Sequence, residues 1–311
     1  MAPTTPPTRA RIWALSLALL LVAAACSDDD ATTASDADTS EASTAEGEAT
    51  DTDTDTDTDT DTDTEAAPVA AASCDEVAAQ FTTKGSVNPG LADPVSEATC
   101  DNDSIIVTSN GIPDYTYIET SPGQPAAQDY TFTLPANPID AASPGEIPLV
   151  GPLGVALNGV PIYGATEGTG GDVLSLEGAL SVCGSHNGPT GFHIHLLGTS
   201  SETDCIFTPD EVAAAPQLLG YAFDGYPIYT GNDQYASSWE LTDESLFASD
   251  TWSAHAYVEG SGDLDECNGR TDENGTYAYY TTDTFPYTLG CYRGEVSDEA
   301  GGLGGAGRPR P

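Results

Sequence analysis

The chain has 311 residues with 50 Asp and Glu against seven Lys and Arg, a net charge of −43. Between its two tails the only basic residues are Lys84, Arg270 and Arg293. That excludes nucleic acid and anionic membrane surfaces as partners, since both need clustered positive charge.

The first residues set the compartment. Arg9 and Arg11 precede an apolar run from Ile12 to Val22, followed by Ala23, Ala24, Ala25 and Cys26. The run is far shorter than the roughly 20 residues a bilayer crossing needs, so residues 1–25 read as a lipoprotein signal peptide. Cys26 then becomes the lipidated first residue, anchoring an exported protein to the cell membrane with its domain outside the cytoplasm. Ala23 stands where lipoprotein signals usually carry Leu.

Residues 26–67 are built from Asp, Glu, Thr, Ser and Ala and close on a strict Asp-Thr alternation from Asp51 to Thr64. Such a segment has nothing to bury against the entropy of ordering, so it reads as a disordered acidic tether held extended by self-repulsion. The Gly-rich end, residues 300–311, is disordered by the same reasoning.

Six cysteines remain after Cys26: Cys74, Cys100, Cys183, Cys205, Cys267 and Cys291. An even set in an exported chain predicts disulfides. Their order suggests three local bridges, Cys74 with Cys100, Cys183 with Cys205 and Cys267 with Cys291. Each closes a loop of about 20 to 27 residues and contributes on the order of 3 kcal/mol. Thiolate ligation of a metal is the rival reading.

The predicted elements begin with a short helix over Asp75–Phe81 and strands over 104–108, 115–118 and 130–134, giving an N-terminal β-rich segment, 68–148. A repeat follows. GVALNGVPIYG, Gly154–Gly164, returns as GYAFDGYPIYT, Gly220–Thr230. Each box reads as strand, turn, strand, with Asn158-Gly159 and Asp224-Gly225 as two-residue hairpin turns. Leu180-x-x-Cys183-x-x-His186 is matched by Leu264-x-x-Cys267-x-x-Arg270, and each copy ends in an aromatic strand and a second cysteine. Residues 149–215 and 216–299 thus form two units of one domain, arranged about a pseudo-twofold axis, with 231–262 as an insertion in the second. A second short helix is expected over Pro209–Ala214. The 32 Gly and 22 Pro argue against long helices, and the fold class is mainly β, stapled by disulfides.

The repeat boxes, LDECNG at Leu264–Gly269 and FPYTLGCYRG at Phe285–Gly294 together resemble the YHYH-domain proteins of bacteria, over about Leu149 to Val296. That family is named for a Tyr-His-Tyr-His motif, which falls here on Tyr277, Ala278, Tyr279 and Tyr280, so both of its histidines are replaced. The first copy has Phe192, His193, Ile194 and His195 at the equivalent place. The resemblance implies a shared architecture and leaves the chemistry to be read from the residues.

Three of the four histidines fall within 186–195. His193 and His195, two apart on a strand, point to one face, and His186 can fold back across the Gly188-Pro189 turn to join them. Three imidazoles suit Zn²⁺ or copper. Asp224, Glu177 and His255 are candidates for a fourth ligand, between which spacing does not choose. The same histidines could instead be ordinary strand residues in hydrogen bonds. Tyr226, Tyr229, Tyr277, Tyr279 and Tyr280 could form an aromatic patch for glycan or peptide, or pack in the core. Gly184-Ser185-His186 lacks the strand-elbow-helix setting of a serine nucleophile. Asp263, Asp265 and Glu266, or Asp272, Glu273 and Asn274, do not follow a calcium-loop spacing. Three readings of function result: a tethered metal-binding domain, a metal-free interaction or scaffold module, and a metal-assisted hydrolase or oxidoreductase.

Overall fold

The computed structural model describes residues 72–296 apart from 122; the expected signal peptide, Cys26, the expected acidic tether and the tail from 300 lie outside the described residues. Fifteen short strands carry the fold among them. β1 (Ser96–Asp101), β2 (Ser104–Ser109) and β3 (Tyr130–Pro135) form an antiparallel sheet in that order, and β4 (Asp140–Gly145) follows. The first repeat box supplies β5 (Pro152–Ala156) and β6 (Pro161–Tyr163), and the histidine region supplies β7 (Ser185–Gly188) and β8 (Gly191–Ile194). The second half runs β9 (Leu218–Ala222), β10 (Pro227–Tyr229), β11 (Trp239–Leu241), β12 (His255–Tyr257), β13 (Gly269–Thr271), β14 (Tyr277–Tyr280) and β15 (Tyr292–Gly294).

An eight-stranded sheet in the order β13-β14-β10-β9-β5-β6-β8-β7 is the centre of the molecule. β5 and β9 pair antiparallel in its middle, with Val155 opposite Tyr221. On one side β5 turns into β6, β6 runs parallel to β8, and β8 pairs antiparallel with β7. On the other, β9, β10, β14 and β13 are joined by the same three kinds of pairing. Every residue of β5 is buried, as befits a strand covered on both faces. Phe132 of the three-stranded sheet stacks on Phe223, ring centroids 5.7 Å apart, and Ser109 donates to the Gly159 carbonyl at 2.6 Å, tying the two sheets together.

The expected hairpin turns take a different form. Gly159 N donates to Ala156 O and Ala156 N to Val160 O, so the β5–β6 loop has three residues, with Gly159 at φ +81°. Gly225 does the same at φ +88°. A two-residue turn of the Asn-Gly type would require Asn158 also to take positive φ; here a single glycine in the left-handed region closes the loop.

The strand expected over 115–118 is irregular instead. Asn88 accepts from Tyr117 N at 2.8 Å and donates to Tyr115 O at 2.8 Å, and Thr116 N donates to Asp204 O at 2.9 Å, so side chain and loop replace a sheet partner. α1 spans Cys74–Ala78, shorter than expected, and α2 spans Pro209–Ala214; both start on capping boxes, Ser73 with Glu76 and Thr208 with Glu211. α3 (Thr251–Ala254), capped by Asp250, was not expected; it lies in the inserted loop beside the β11–β12 hairpin.

The three disulfides pair as their order suggested: Cys74–Cys100, Cys183–Cys205 and Cys267–Cys291. Those sulfurs are therefore not thiolate ligands. Such bonds persist in oxidising compartments, in keeping with a domain outside the cytoplasm. Among the described residues no helix is long and apolar enough to cross a membrane.

Candidate metal centre

The register of β7 and β8 builds the site. His186 is directly opposite His193, and His195 follows His193 by two residues, just past the end of β8. Cross-strand partners and i, i+2 neighbours share a face, so all three imidazoles converge. Their Nε2 atoms lie close: 2.9 Å from His186 to His193 and 3.0 Å from His193 to His195.

The carboxylate that joins them is Glu167, which sequence reasoning missed. β6 runs parallel to β8, so the chain leaving Tyr163 passes over the end of β8 that carries His195. A turn then holds Glu167, with Gly170 N donating to Glu167 O at 2.7 Å and Glu167 N to Gly171 O at 3.0 Å. Its Oε1 reaches His186 Nε2 at 2.9 Å and His195 Nε2 at 3.1 Å. The four ligand atoms all lie within 4.8 Å of one another.

Hydrogen bonds on the far side of the rings set their chemistry. His193 Nδ1 is 2.9 Å from Gly191 O, and His195 Nδ1 is 2.6 Å from Gly164 O. A carbonyl only accepts, so each Nδ1 carries the hydrogen and each Nε2 of the neutral ring is a bare lone pair aimed at the cluster. Burial, then the neighbouring His195 and His186, hold His193 well below the usual histidine pKa and keep it neutral. Burial pushes Glu167 up, but its contacts with His186 and His195 more than offset this and hold it below the usual carboxylate range. Its Oε1 is buried and accepts no hydrogen bond of good geometry. The Nε2 lone pairs of His193 and His195 thus face the Glu167 carboxylate and His186 in a site 1–7 % exposed at its three histidines, and a cation at their centre would give all four a partner.

The rings are fixed from outside. Tyr163 stacks on His193 with centroids 3.9 Å apart and planes 19° apart, and its hydroxyl meets Thr190 Oγ1 at 3.0 Å. Gly188 lies against the edge of the same ring: a Cβ there would be 2.6 Å from His193 Cε1. Only glycine leaves room for this ring.

The other candidates for a fourth ligand are elsewhere. Asp224 is fully buried, accepting from Tyr279 Oη, from Gly294 N at 2.9 Å and from Tyr226 N at 3.2 Å. His255 stacks on Phe285 at 4.0 Å, and its Nδ1 meets Thr251 O at 2.8 Å. Glu177 is exposed.

The five tyrosines do not form one surface. Tyr277 and Tyr279 are buried, donating to Asp265 and Asp224, and Tyr226 donates to Asp140 at 2.7 Å. Tyr229 and Tyr280 stack on each other at 6.0 Å and remain half-buried. The carboxylates weighed for calcium serve turns: Asp265 accepts from Cys267 N and Gly269 N, Asp272 from Asn274 N and Thr276 N, and Asp263 from Ala236 N.

In the second half, Arg270 pairs with Ala278 as His186 pairs with His193, and Tyr280 follows Ala278 by two as His195 follows His193. Arg270 lies over the Tyr235 ring, 4.6 Å from its centroid, and Tyr235 packs edge-on to Tyr280. Arg270, Ala278 and Tyr280 therefore occupy the positions that hold the three imidazoles in the first half.

No curated protein and no solved structure gives a significant match to the chain. The profile of the YHYH protein family matches residues 131–294, beginning earlier than the resemblance noted above and taking in β3. With more than half of its length matched, from β3 through the histidine strands to the FPYTLGCYRG segment, the chain belongs to the YHYH protein family.

Proposed function

We propose that this protein binds a single transition-metal ion outside the cytoplasm, through His186, His193, His195 and Glu167, and that lipidated Cys26 and the acidic tether hold the domain at the membrane. The observation that carries the reading is the pair of Nε2 atoms of His193 and His195, 3.0 Å apart, when both Nδ1 atoms are committed to backbone carbonyls. Two bare lone pairs at that distance repel unless a cation lies between or beside them, and His193 resists protonation. Imidazole nitrogen with one carboxylate oxygen is a donor set for Zn²⁺, Cu²⁺ or Ni²⁺. Bound there, such an ion supplies a fixed positive charge and Lewis acidity; the chain supplies the orientation, through Gly191, Gly164 and Tyr163.

Purified tag-free protein, stripped with chelator, is expected to take up about one equivalent of Zn²⁺ or Cu²⁺ by calorimetry and elemental analysis. The double variant His193→Ala/His195→Ala is expected to take up none at that site. Undiminished stoichiometric binding in the double variant would reject the site. The anchor is tested separately: Cys26→Ala moves the protein from the membrane fraction to the soluble exported fraction, and retention at the membrane counts against lipidation.

A further inference from the structure

Resting on that metal-binding reading, we infer that the ion this site is built for is divalent copper in a tetragonal setting. The four ligand atoms form a ring: Glu167 Oε1 to His186 Nε2 is 2.9 Å, His186 to His193 2.9 Å, His193 to His195 3.0 Å, and His195 back to Glu167 3.1 Å. Nitrogen and oxygen ligands sit about 2.0–2.1 Å from such an ion; a tetrahedron then spaces all six pairs about 3.3–3.4 Å apart, whereas a square plane spaces neighbours about 2.8–3.0 Å and opposite corners about 4.0–4.2 Å. The four sides match the neighbour spacing of the square and fall short of the tetrahedral spacing, with the whole cluster spanning no more than 4.8 Å.

The ring resists rearrangement to a tetrahedron. His193 on β8 and His195 just past its end are two residues apart, and each is pinned by its own Nδ1 bond, so their separation is set largely by the backbone. His186 faces His193 across a ladder whose partner strand is tied down two residues earlier by the Cys183–Cys205 disulfide.

Tetragonal nitrogen and oxygen donors favour Cu²⁺ or Ni²⁺ over Zn²⁺, and the general affinity order for divalent ions places copper above nickel. The oxidation state follows from what is missing. Cu⁺ prefers thiolate and thioether sulfur. Six cysteines are bridged, and the sole methionine of the sequence is Met1.

Affinity alone does not test this, because copper leads zinc at most sites of this kind; the coordination geometry does. The full chain, purified in detergent, stripped and loaded with one equivalent of Cu²⁺, is examined by low-temperature electron paramagnetic resonance. The expected spectrum is axial, with wide parallel copper splitting and superhyperfine structure from three nitrogens, reduced to two nitrogens in His193→Ala. Carboxylates of the Asp-Thr segment contribute no nitrogen structure, so copper held there is distinguished. A rhombic spectrum with narrow parallel splitting, together with the intense visible bands of a tetrahedral ion in Co²⁺-loaded protein, would overturn the copper assignment and leave the metal site standing. A spectrum without nitrogen structure, unchanged in the double histidine variant, would overturn the copper assignment and the metal site together.

Discussion

His186 and His193 sit at directly paired positions of β7 and β8 and bring their Nε2 atoms to 2.9 Å. Two strand positions that would ordinarily be filled by any compatible cross-strand pair are here spent on two buried imidazoles whose nitrogens meet edge to edge, with the Nε2 of His193 left as an acceptor. Ligand binding to the native state alone stabilises it by about 2.7 kcal/mol at a free concentration 100 times the dissociation constant. For a domain of this size that corresponds to a rise of about 5–10 °C in melting temperature. Thermal melts with and without Cu²⁺ check this, and the double variant His193→Ala/His195→Ala is expected to show no such shift.

Glu167 distinguishes a ligand from a bystander. Glu167→Gln keeps the shape but removes the charge, and we expect metal affinity to fall by about 10- to 100-fold while chelator-treated protein becomes somewhat less stable near neutral pH, because the contacts with His186 and His195 that favour the ionised carboxylate are weakened. Titration of both proteins with Cu²⁺ reads the first effect and chemical denaturation the second. Equal affinities would remove Glu167 from the site.

Acid acts on the stripped protein through the same groups. His193 is held well below 6.5 by burial and its neighbours, so once the pH drops under about 6.5 the unfolded chain takes up a proton that the native state refuses. Stability then falls with decreasing pH, by up to about 1.4 kcal/mol per unit for one such group. Glu167, depressed in the fold, adds to the loss below about 4.5, in the same direction. Denaturation curves at pH 7.5, 6.5 and 5.5 are expected to show the decline, and His193→Ala to lessen it. A stability maximum at pH 5.5 would contradict the neutral, buried imidazole.

Much of this was legible in the residues because its signals are local. Cysteine order gave the bridges, and the i, i+2 spacing of His193 and His195 with the turn before them gave three of the four residues of the cluster. Glu167 was missed because its approach depends on β6 and β8 being parallel neighbours, which no local pattern announces. A trace of it existed: Glu167 and Asp233 each follow a Pro-Ile-Tyr box by four residues, an acidic residue kept at the same offset. Asp224 and His255 were attractive as ligands because a buried polar residue looks alike from sequence whether it meets an ion or a hydrogen-bond donor. Asp224 meets Tyr279 and Gly294 from far along the chain, and His255 is occupied by the Thr251 carbonyl of the short helix it follows.

Asp224 therefore makes a separate test of the assignment. Burial pushes its pKa up, and its contact with Tyr279 is the side-chain bond that helps hold the carboxylate. Tyr279→Phe leaves a buried acceptor short of a partner and is expected to cost about 1–3 kcal/mol of stability. Metal uptake should be unchanged at a temperature where the variant is folded. Loss of uptake in folded protein would return Asp224 to the site.

Gly188 tests the shape of the site without touching a ligand. A methyl group there meets the Cε1 edge of His193 at 2.6 Å, while Tyr163 stacked on a face of the ring restricts its escape. The ring must turn, dragging Nε2 off the common centre and breaking the Nδ1 bond to Gly191. Misplacing one donor of four in this way should weaken Cu²⁺ binding by about tenfold or more, an effect of the size produced by losing an orienting outer partner. Ser185, the opposite end of the same strand and buried at 1 % exposure, supplies the comparison: Ser185→Ala removes only a hydroxyl and should leave affinity within about twofold. If Gly188→Ala binds copper as the parent does, with the same nitrogen count, then the imidazole of His193 is not held where the ion requires it, and the preorganised ring of ligands is the wrong description of this site.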